Sequence, residues 1–324
     1  GRGCAAGISR VLSFQARQFL RKPDDSSLTV GQRRKVRAEA ERALREAGAL
    51  GVFPTPVERI LAVANVEEVH EDVLNPRFLA KIRAEAGGAI KSALTKVLGL
   101  FHAKDGLVFI DRTINKVRQT FIRLHEAGHG FMPWQRDMYA VVEDCEHALD
   151  SDTAALFDRE AGVFASEVLF QLDTFIDDAR SRDFSIWTPV RMSKDYGASI
   201  YAAVRQYVAK HDRTCAVLVL NMPELIEGDG FRATLRRPIE SDAFRRMFGT
   251  KLWRDVYTPD DEIGAMIPVG GRKYSGKQTL SLTDLNGDRH EFVVEVFTQT
   301  HQVFVLMHAI ATLSVTRIIL STGS

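Results

Sequence analysis

The spacing of apolar positions changes character near residue 210. Before that point the period is mostly helical; after it, β-branched and apolar residues run together or alternate. Residues 30–50 predict a highly charged helix (Arg33, Arg34, Lys35, Arg37, Glu39, Glu41, Arg42, Arg45, Glu46). Its signs are mixed, which reads as a solvated face, and Gly48 and Gly51 end it. Pro54-Thr55-Pro56 opens a second helix, in which Val57, Ile60, Leu61 and Ala64 follow the i, i+3, i+4, i+7 rule. A further helix is expected over 76–97. Leu98-Gly-Leu-Phe101 and Leu107-Val-Phe-Ile-Asp111, with a turn at 103–106, predict a hairpin.

Helices then follow at about 115–131 and 151–178, and 185–189 reads as a linker. Residues 192–210 form a helical segment with a step at Gly197-Ala198-Ser199. Beyond it, 215–220 predicts a strand. Asn286-Gly287, between Leu280-Ser-Leu-Thr-Asp-Leu285 and Phe292-Val-Val-Glu-Val-Phe297, is a strong hairpin signal. Residues 303–320 read as one or two buried strands. The fold class is therefore α+β: a loose segment at 1–29, a mostly helical domain at 30–180, a helical segment at 181–212 and a mixed β-rich domain at 213–324.

Composition narrows the function classes. Forty-three basic against 42 acidic residues leave a net charge of +1, so direct nucleic-acid binding is not expected. Three widely spaced cysteines (Cys4, Cys145, Cys215) exclude a disulfide scaffold and suit a reducing, cytoplasmic setting. No signal peptide is visible, and Gly1 stands where Met is expected, which reads as a fragment or a processed end. The longest apolar run, 303–320, contains His308, Ser314, Thr316 and Arg317. It is too short and too polar to span a membrane, so no membrane partner is expected.

One motif carries chemistry: His125-Glu126-Ala127-Gly128-His129. Composition alone produces His-Glu-x-x-His in roughly one or two such chains per hundred, so context decides its weight. Here Ile114, Val117, Phe121, Leu124 and Gly128 recur at helical spacing. An i, i+4 pair then sets both imidazoles on one face, within reach of one Zn²⁺ at about 2.0–2.1 Å. Glu126 stands beside the metal rather than on it, placed for general-base work. The bland alternative is two surface histidines with a capping glutamate. It fits poorly, because the rest of the face is apolar.

A catalytic zinc needs a third protein ligand and an open position. Downstream candidates are Glu143, Asp144, Glu146, His147, Asp150, Glu160 and Glu167. Glu160 is favoured: apolar positions 161, 164, 165 and 168 place it on a helix, and Ala161 and Gly162 permit close approach. Glu167 reads as a surface group or an outer partner of the site. His147, in a polar stretch that reads as a loop, is a weaker rival.

Taken together, Arg118-Gln-Thr-Phe121-Ile-Arg-Leu-His125-Glu-Ala-Gly-His129 and Arg159-Glu160-Ala161-x-x-Phe164-Ala165-x-Glu167-x-Leu169 resemble the ImmA/IrrE-type metallopeptidases. Members carry R-x-x-F-T-x-A-H-E-x-G-H and then E-A-N-x-F-A-A-x-L-L. Residues 54–61, the strand 107–111, and Arg191-Met-Ser-Lys-Asp-Tyr196-Gly-Ala-Ser199-Ile-Tyr-Ala202-Ala-Val-Arg205 also look like parts of that family, so the likeness spans about 52–210. It implies a gluzincin-like zinc site with His125, His129 and Glu160 as ligands and Glu126 as base. It also implies cleavage of a repressor protein and so control of transcription, as in stress responses.

Three departures stand out. Gly162 replaces the family's usual Asn; Met132-Pro133-Trp134 replaces an aliphatic-His continuation, so the helix should stop near Phe131; and no repressor-type DNA-binding domain precedes the motif, so the target is expected to be a separate chain. Tyr139, His147 and Tyr196 are candidate donors to the oxyanion. The competing class is a non-catalytic zinc-containing regulator, mildly favoured by Gly162 and opposed by the retained Glu126. A DNA-binding regulator is disfavoured by the +1 charge. Asp284-x-Asn286-Gly287-Asp288 reads as a hairpin turn rather than a calcium loop, and Val269-Gly-Gly-Arg272 does not fit a phosphate loop. Residues 192–207, with few cations, read as a structural or docking element, and the β-rich remainder as a sensing or recognition domain.

Overall fold

The computed structural model describes residues 26–69, 99–102, 107–110, 115–144, 149–226, 230–250 and 253–313. The expected helix at 76–97, the turn at 103–106, Cys4, Cys145 and His147 lie outside the described residues. Helix and sheet are both extensive, as an α+β chain requires. Two compact units divide at Leu172–Asp173.

In the first unit, α1 (Val30–Glu46) starts with a capping box. Thr29 Oγ1 accepts from the Gln32 amide at 3.3 Å, and the Thr29 amide donates to Gln32 Oε1 at 2.9 Å. One face carries i, i+4 ion pairs such as Arg45–Glu41 at 2.6 Å. The other is apolar: Val36, Ala40, Ala43 and Leu44 are buried, and α1 packs on the later helix α5 (Ser151–Leu169). The charge pattern had hidden that stripe. Gly48, at φ 56°, turns the chain out of the helix.

Next come α2 (Val57–Val63), β1 (Glu67–Val69), β2 (Gly99–His102) and β3 (Leu107–Ile110). β3 pairs antiparallel with β2, as the hairpin pattern predicts, and parallel with β1. α3 (Lys116–Phe131) begins where the Asn115 side chain accepts from the Val117 amide at 2.9 Å. Arg123 Nη2 ties it to Glu58 of α2 at 2.6 Å and Glu68 of β1 at 2.7 Å. It stops at Met132, because Pro133 cannot donate to the helix ladder. Pro133 then starts α4 (Pro133–Asp144), so the stretch up to Asp144 is helix, not loop.

α5 lies against α3, and Asp150 caps it by accepting from the Asp152 and Thr153 amides at 3.1 and 3.0 Å. A Cβ on Gly128 would meet Phe164 Cδ1 at 2.9 Å and the Ala161 Cα at 3.4 Å. Glycine therefore sets the approach of the two helices that carry the motif residues. Gly128→Ala gains about 0.5–1 kcal/mol in helix propensity. Over-packing a fully buried ring costs about 1–3 kcal/mol. The net expectation is a lower urea midpoint for the first unit; an unchanged or higher midpoint would contradict this packing.

The predicted helix over 151–178 is two helices. α5 ends at Leu169, Gln171 and Leu172 adopt φ 48° and 62°, and α6 (Thr174–Arg180) follows in the second unit. Nothing local marks the break. Gln171 is held by remote backbone: Nε2 donates to the Ala49 and Val52 carbonyls at 3.0 and 2.6 Å, and Oε1 accepts from the Gly51 amide at 2.7 Å.

The second unit continues with α7 (Trp187–Asp195), which begins inside the predicted linker, and α8 (Ile200–Lys210). α6 packs on both, and 173–212 lies in the same compact unit as the sheet that follows. That sheet has seven strands in the order β5-β6-β4-β10-β9-β8, with β7 paired to β6, and it is antiparallel throughout. Its strands are β4 (Cys215–Asn221), β5 (Glu224–Ile226), β6 (Gly230–Glu240), β7 (Val256–Tyr257), β8 (Tyr274–Thr283), β9 (Arg289–Gln299) and β10 (Gln302–Leu313). Two short helices, α9 (Asp242–Phe248) and α10 (Glu262–Ala265), complete it, and Phe244 and Phe248 of α9 join Phe292 and Val294 in the core.

The β8–β9 turn is the predicted hairpin. Asp284 Oδ1 accepts from the Asn286 and Asp288 amides at 2.8 and 2.9 Å, and Oδ2 faces His290 Nε2 at 3.0 Å, which occupies the carboxylate without a cation. Buried Glu295 of β9 accepts from Ser185 Oγ at 3.1 Å, the Ile186 amide at 3.0 Å and Tyr274 Oη at 2.6 Å, anchoring the start of α7.

His308 of β10 is buried, 4.4 Å from the Phe184 ring. Burial, helped by nearby Arg213, pushes its imidazole down to about 4. The unfolded chain therefore binds this proton more readily. Stability of the second unit should fall as pH drops from about 6.5 towards 4, by at most about 3 kcal/mol from this residue. Urea midpoints across that range should slope less steeply in His308→Asn; equal slopes would remove His308 as the cause.

Candidate metal centre

The motif helix α3 buries Leu124, Glu126, Ala127, Gly128, His129 and Phe131, and His125 stands one turn before His129 on the same side. The imidazoles of His125 and His129 are 4.9 Å apart between centroids and nearly perpendicular, with their Nε2 atoms 3.2 Å apart. Asp158 of α5 completes the group, its Oδ1 lying 3.3 Å from His125 Nε2. One ligand atom from each of the three lies within 4.8 Å of the others, so the trio could hold a metal ion. A tetrahedral zinc at 2.0–2.1 Å from its ligands requires ligand atoms about 3.3 Å apart. The two short edges match that spacing, and the third is within 4.8 Å.

Asp158 was not among the sequence candidates, although the signal existed. Positions 158, 161, 165 and 168 share one helical stripe, as do 157, 161, 164 and 168. Asp158 is largely exposed and could be passed over as a solvated charge. The favoured candidate, Glu160, is not in the trio. It is buried, and its Oε2 accepts from Trp134 Nε1 and Gln135 Nε2, both at 2.8 Å. Lys35 of α1 lies over the Trp134 ring, 3.6 Å from its centroid. Glu167 is buried rather than on the surface and pairs with Arg37 Nη1 at 3.2 Å. Asp150 caps α5. The side chains of Glu143 and Asp144, and all of Glu146 and His147, lie outside the described residues. A Cβ at Gly162 would meet nothing within 4 Å, so packing does not demand glycine there.

Sequence reasoning also missed Gln135. Its side chain is fully buried, with Oε1 2.6 Å from His129 Nδ1 and Nε2 3.2 Å from the Phe157 carbonyl. Of the three candidate oxyanion donors, Tyr139 is beside the motif, its ring edge-on to His129 at 5.4 Å. Tyr196 belongs to the second unit and packs on Phe175.

The electrostatics follow from burial. Burial pushes the Glu126 carboxyl up to about 7; His125 opposes the rise and Asp158 adds to it. Burial, reinforced by His125, holds His129 well below the ordinary imidazole value. Burial also disfavours charge on His125, but its bond to Asp158 and the nearby carboxylates outweigh that and raise it. Burial, then the charges of Glu126 and Asp158, push the Tyr139 hydroxyl up, so it stays a donor. A buried glutamate titrating near neutrality beside two imidazoles is equipped to exchange a proton at neutral pH.

No protein-family model matches this chain, and no curated protein matches it. Among solved structures it is similar to a Mycobacterium tuberculosis transcriptional regulator at 11% identity and TM-score 0.46, covering 85% of this chain and 75% of that one. A likeness at that level transfers neither function nor site to this chain. No helix among the described residues is long and apolar enough to cross a membrane.

Proposed function

We propose that this chain is a zinc-dependent endopeptidase that cuts a regulatory protein, a separate repressor chain, in the cytoplasm. The observation that carries the reading is the pair of ligand-atom edges, 3.2 and 3.3 Å, beside the buried Glu126. In this reading His125, His129 and Asp158 hold the zinc. Bound zinc supplies Lewis acidity and lowers the pKa of a coordinated water. Glu126 takes a proton from the attacking water and later delivers it to the leaving amine, a task for a carboxylate buried beside the site. Tyr139, whose ring packs on His129, keeps its proton and is the candidate donor to the developing oxyanion. A purely binding role would give no reason to keep an ionisable glutamate buried at this place.

Repressor cleavage and gluzincin-like membership rest on the resemblance of the two motifs to the ImmA/IrrE-type peptidases. The resemblance implies Glu160 as ligand, whereas the geometry favours Asp158. The test is cleavage of a repressor encoded beside this chain. Purified protein should cut it, chelation should stop the reaction, and added Zn²⁺ should restore it. Cleavage that persists at full rate in chelator would end the zinc-peptidase reading.

A further inference from the structure

The hydrogen bonds around Gln135 define a device that neither the motif nor the resemblance contains. Gln135 is completely buried on α4, two residues after the proline that ends the motif helix. Its Nε2 points at two acceptors, the Phe157 carbonyl at 3.2 Å and Glu160 Oε2 at 2.8 Å. The Phe157 carbonyl can only accept, and Glu160 Oε2 already accepts from the Trp134 indole, so the amide orientation is set. Oε1 is left facing His129 Nδ1 at 2.6 Å, and an oxygen there requires a hydrogen on that nitrogen. In the neutral ring the lone pair is then on Nε2, the atom 3.2 Å from His125 Nε2. Glu160 is held in turn by Trp134 Nε1, under the Lys35 ammonium.

We infer that Gln135 is a positioning residue that locks His129 in its metal-binding tautomer, with Glu160 as the anchor of Gln135 rather than a ligand. The inference deepens the zinc reading and rests on it for its consequence, metal affinity; the tautomer itself does not depend on it. A glutamine is suited to this task because it carries an acceptor and two donors on one planar head. A hydrophobic residue of equal size fills the space but removes the acceptor that Gln135 offers Nδ1–H, and with it the constraint on ring and tautomer.

The test uses the full chain. In metal-free protein, ¹⁵N–¹H correlation spectra of the His129 ring should show hydrogen on Nδ1. In Gln135→Met, which keeps length and volume, that signature should give way to a mixture. Zinc affinity, from competition with a chromophoric chelator, should fall about 10–100-fold in Gln135→Met with circular dichroism unchanged. The double variant Gln135→Glu/Glu160→Gln exchanges acceptor and donor. It still offers an oxygen to Nδ1–H, but it turns a carboxylate oxygen towards the Phe157 carbonyl and an amide towards the Trp134 indole, so it should recover the tautomer and only part of the affinity. Three results would overturn the inference: an Nε2–H tautomer in the wild type, wild-type zinc affinity in Gln135→Met, or loss of zinc in the double variant as complete as in His129→Ala. Absence of cleavage with the tautomer and affinities as expected would sink the peptidase reading and leave this one standing.

Discussion

Glu126→Gln is expected to keep its fold and its zinc and to lose peptide-bond cleavage by about two to four orders of magnitude. The amide matches the carboxylate in size and keeps an acceptor oxygen but cannot take up a proton. General-base catalysis contributes about 10²–10⁴-fold, which is the loss that should be read. The local electrostatics point the same way for stability. Burial raises the Glu126 carboxyl to about 7, so folding favours its neutral form, and a neutral amide costs nothing further in that environment. Zinc content, circular dichroism and cleavage of a co-encoded repressor should be measured on one preparation. In cells, the repressed genes should come on with wild type and stay off with the variant. If Glu126→Gln switches them on as well as wild type does, proteolysis is not the mechanism.

The second large effect separates two neighbouring carboxylates. Asp158→Ala removes an oxygen 3.3 Å from His125 Nε2 and should weaken zinc binding well beyond the roughly 10–100-fold cost of losing an outer partner. Glu160→Ala removes the anchor of Gln135 and should cost about that smaller amount. His125→Ala and His129→Ala should each abolish tight binding, since neither imidazole alone with one carboxylate completes a structural or catalytic zinc set. Elemental analysis and chelator competition read all four variants. Should Glu160→Ala strip the metal while Asp158→Ala retains it, the ligand set implied by the family resemblance takes over, and the anchoring role of Glu160 falls with the alternative.

The helix under the motif was legible because its causes are local. Asn115 caps it, the apolar positions recur every three or four residues, and Pro133 ends it. The β8–β9 hairpin was equally legible, since Asn286-Gly287 specifies the turn by its own backbone freedom, with Gly287 at φ 89°. The apolar stripe of α1 was obscured by its dense charges. The exit from α5 was not legible at all. Gln171 and Leu172 carry no turn chemistry, and they leave the helix because the backbone of 49–52, more than a hundred residues earlier in the chain, offers the Gln171 amide its partners.

The same division runs through the site. Sequence alone determined that His125 and His129 share one face of a helix with Glu126 beside them, because an i, i+4 spacing on a regular helix leaves no other arrangement. Which carboxylate joins them was decided by tertiary structure. Asp158 and Glu160 are two positions apart on α5 and point about 200° apart around it. The approach of α5 to α3 over Gly128 decides which one faces the imidazoles, and the turn at Pro133 decides that Trp134 and Gln135 meet the other. Periodicity specifies a stripe, and both residues border it. Only the packing of three helices, each positioned by contacts remote in sequence, selects one oxygen for the cluster and gives the other to an amide and an indole.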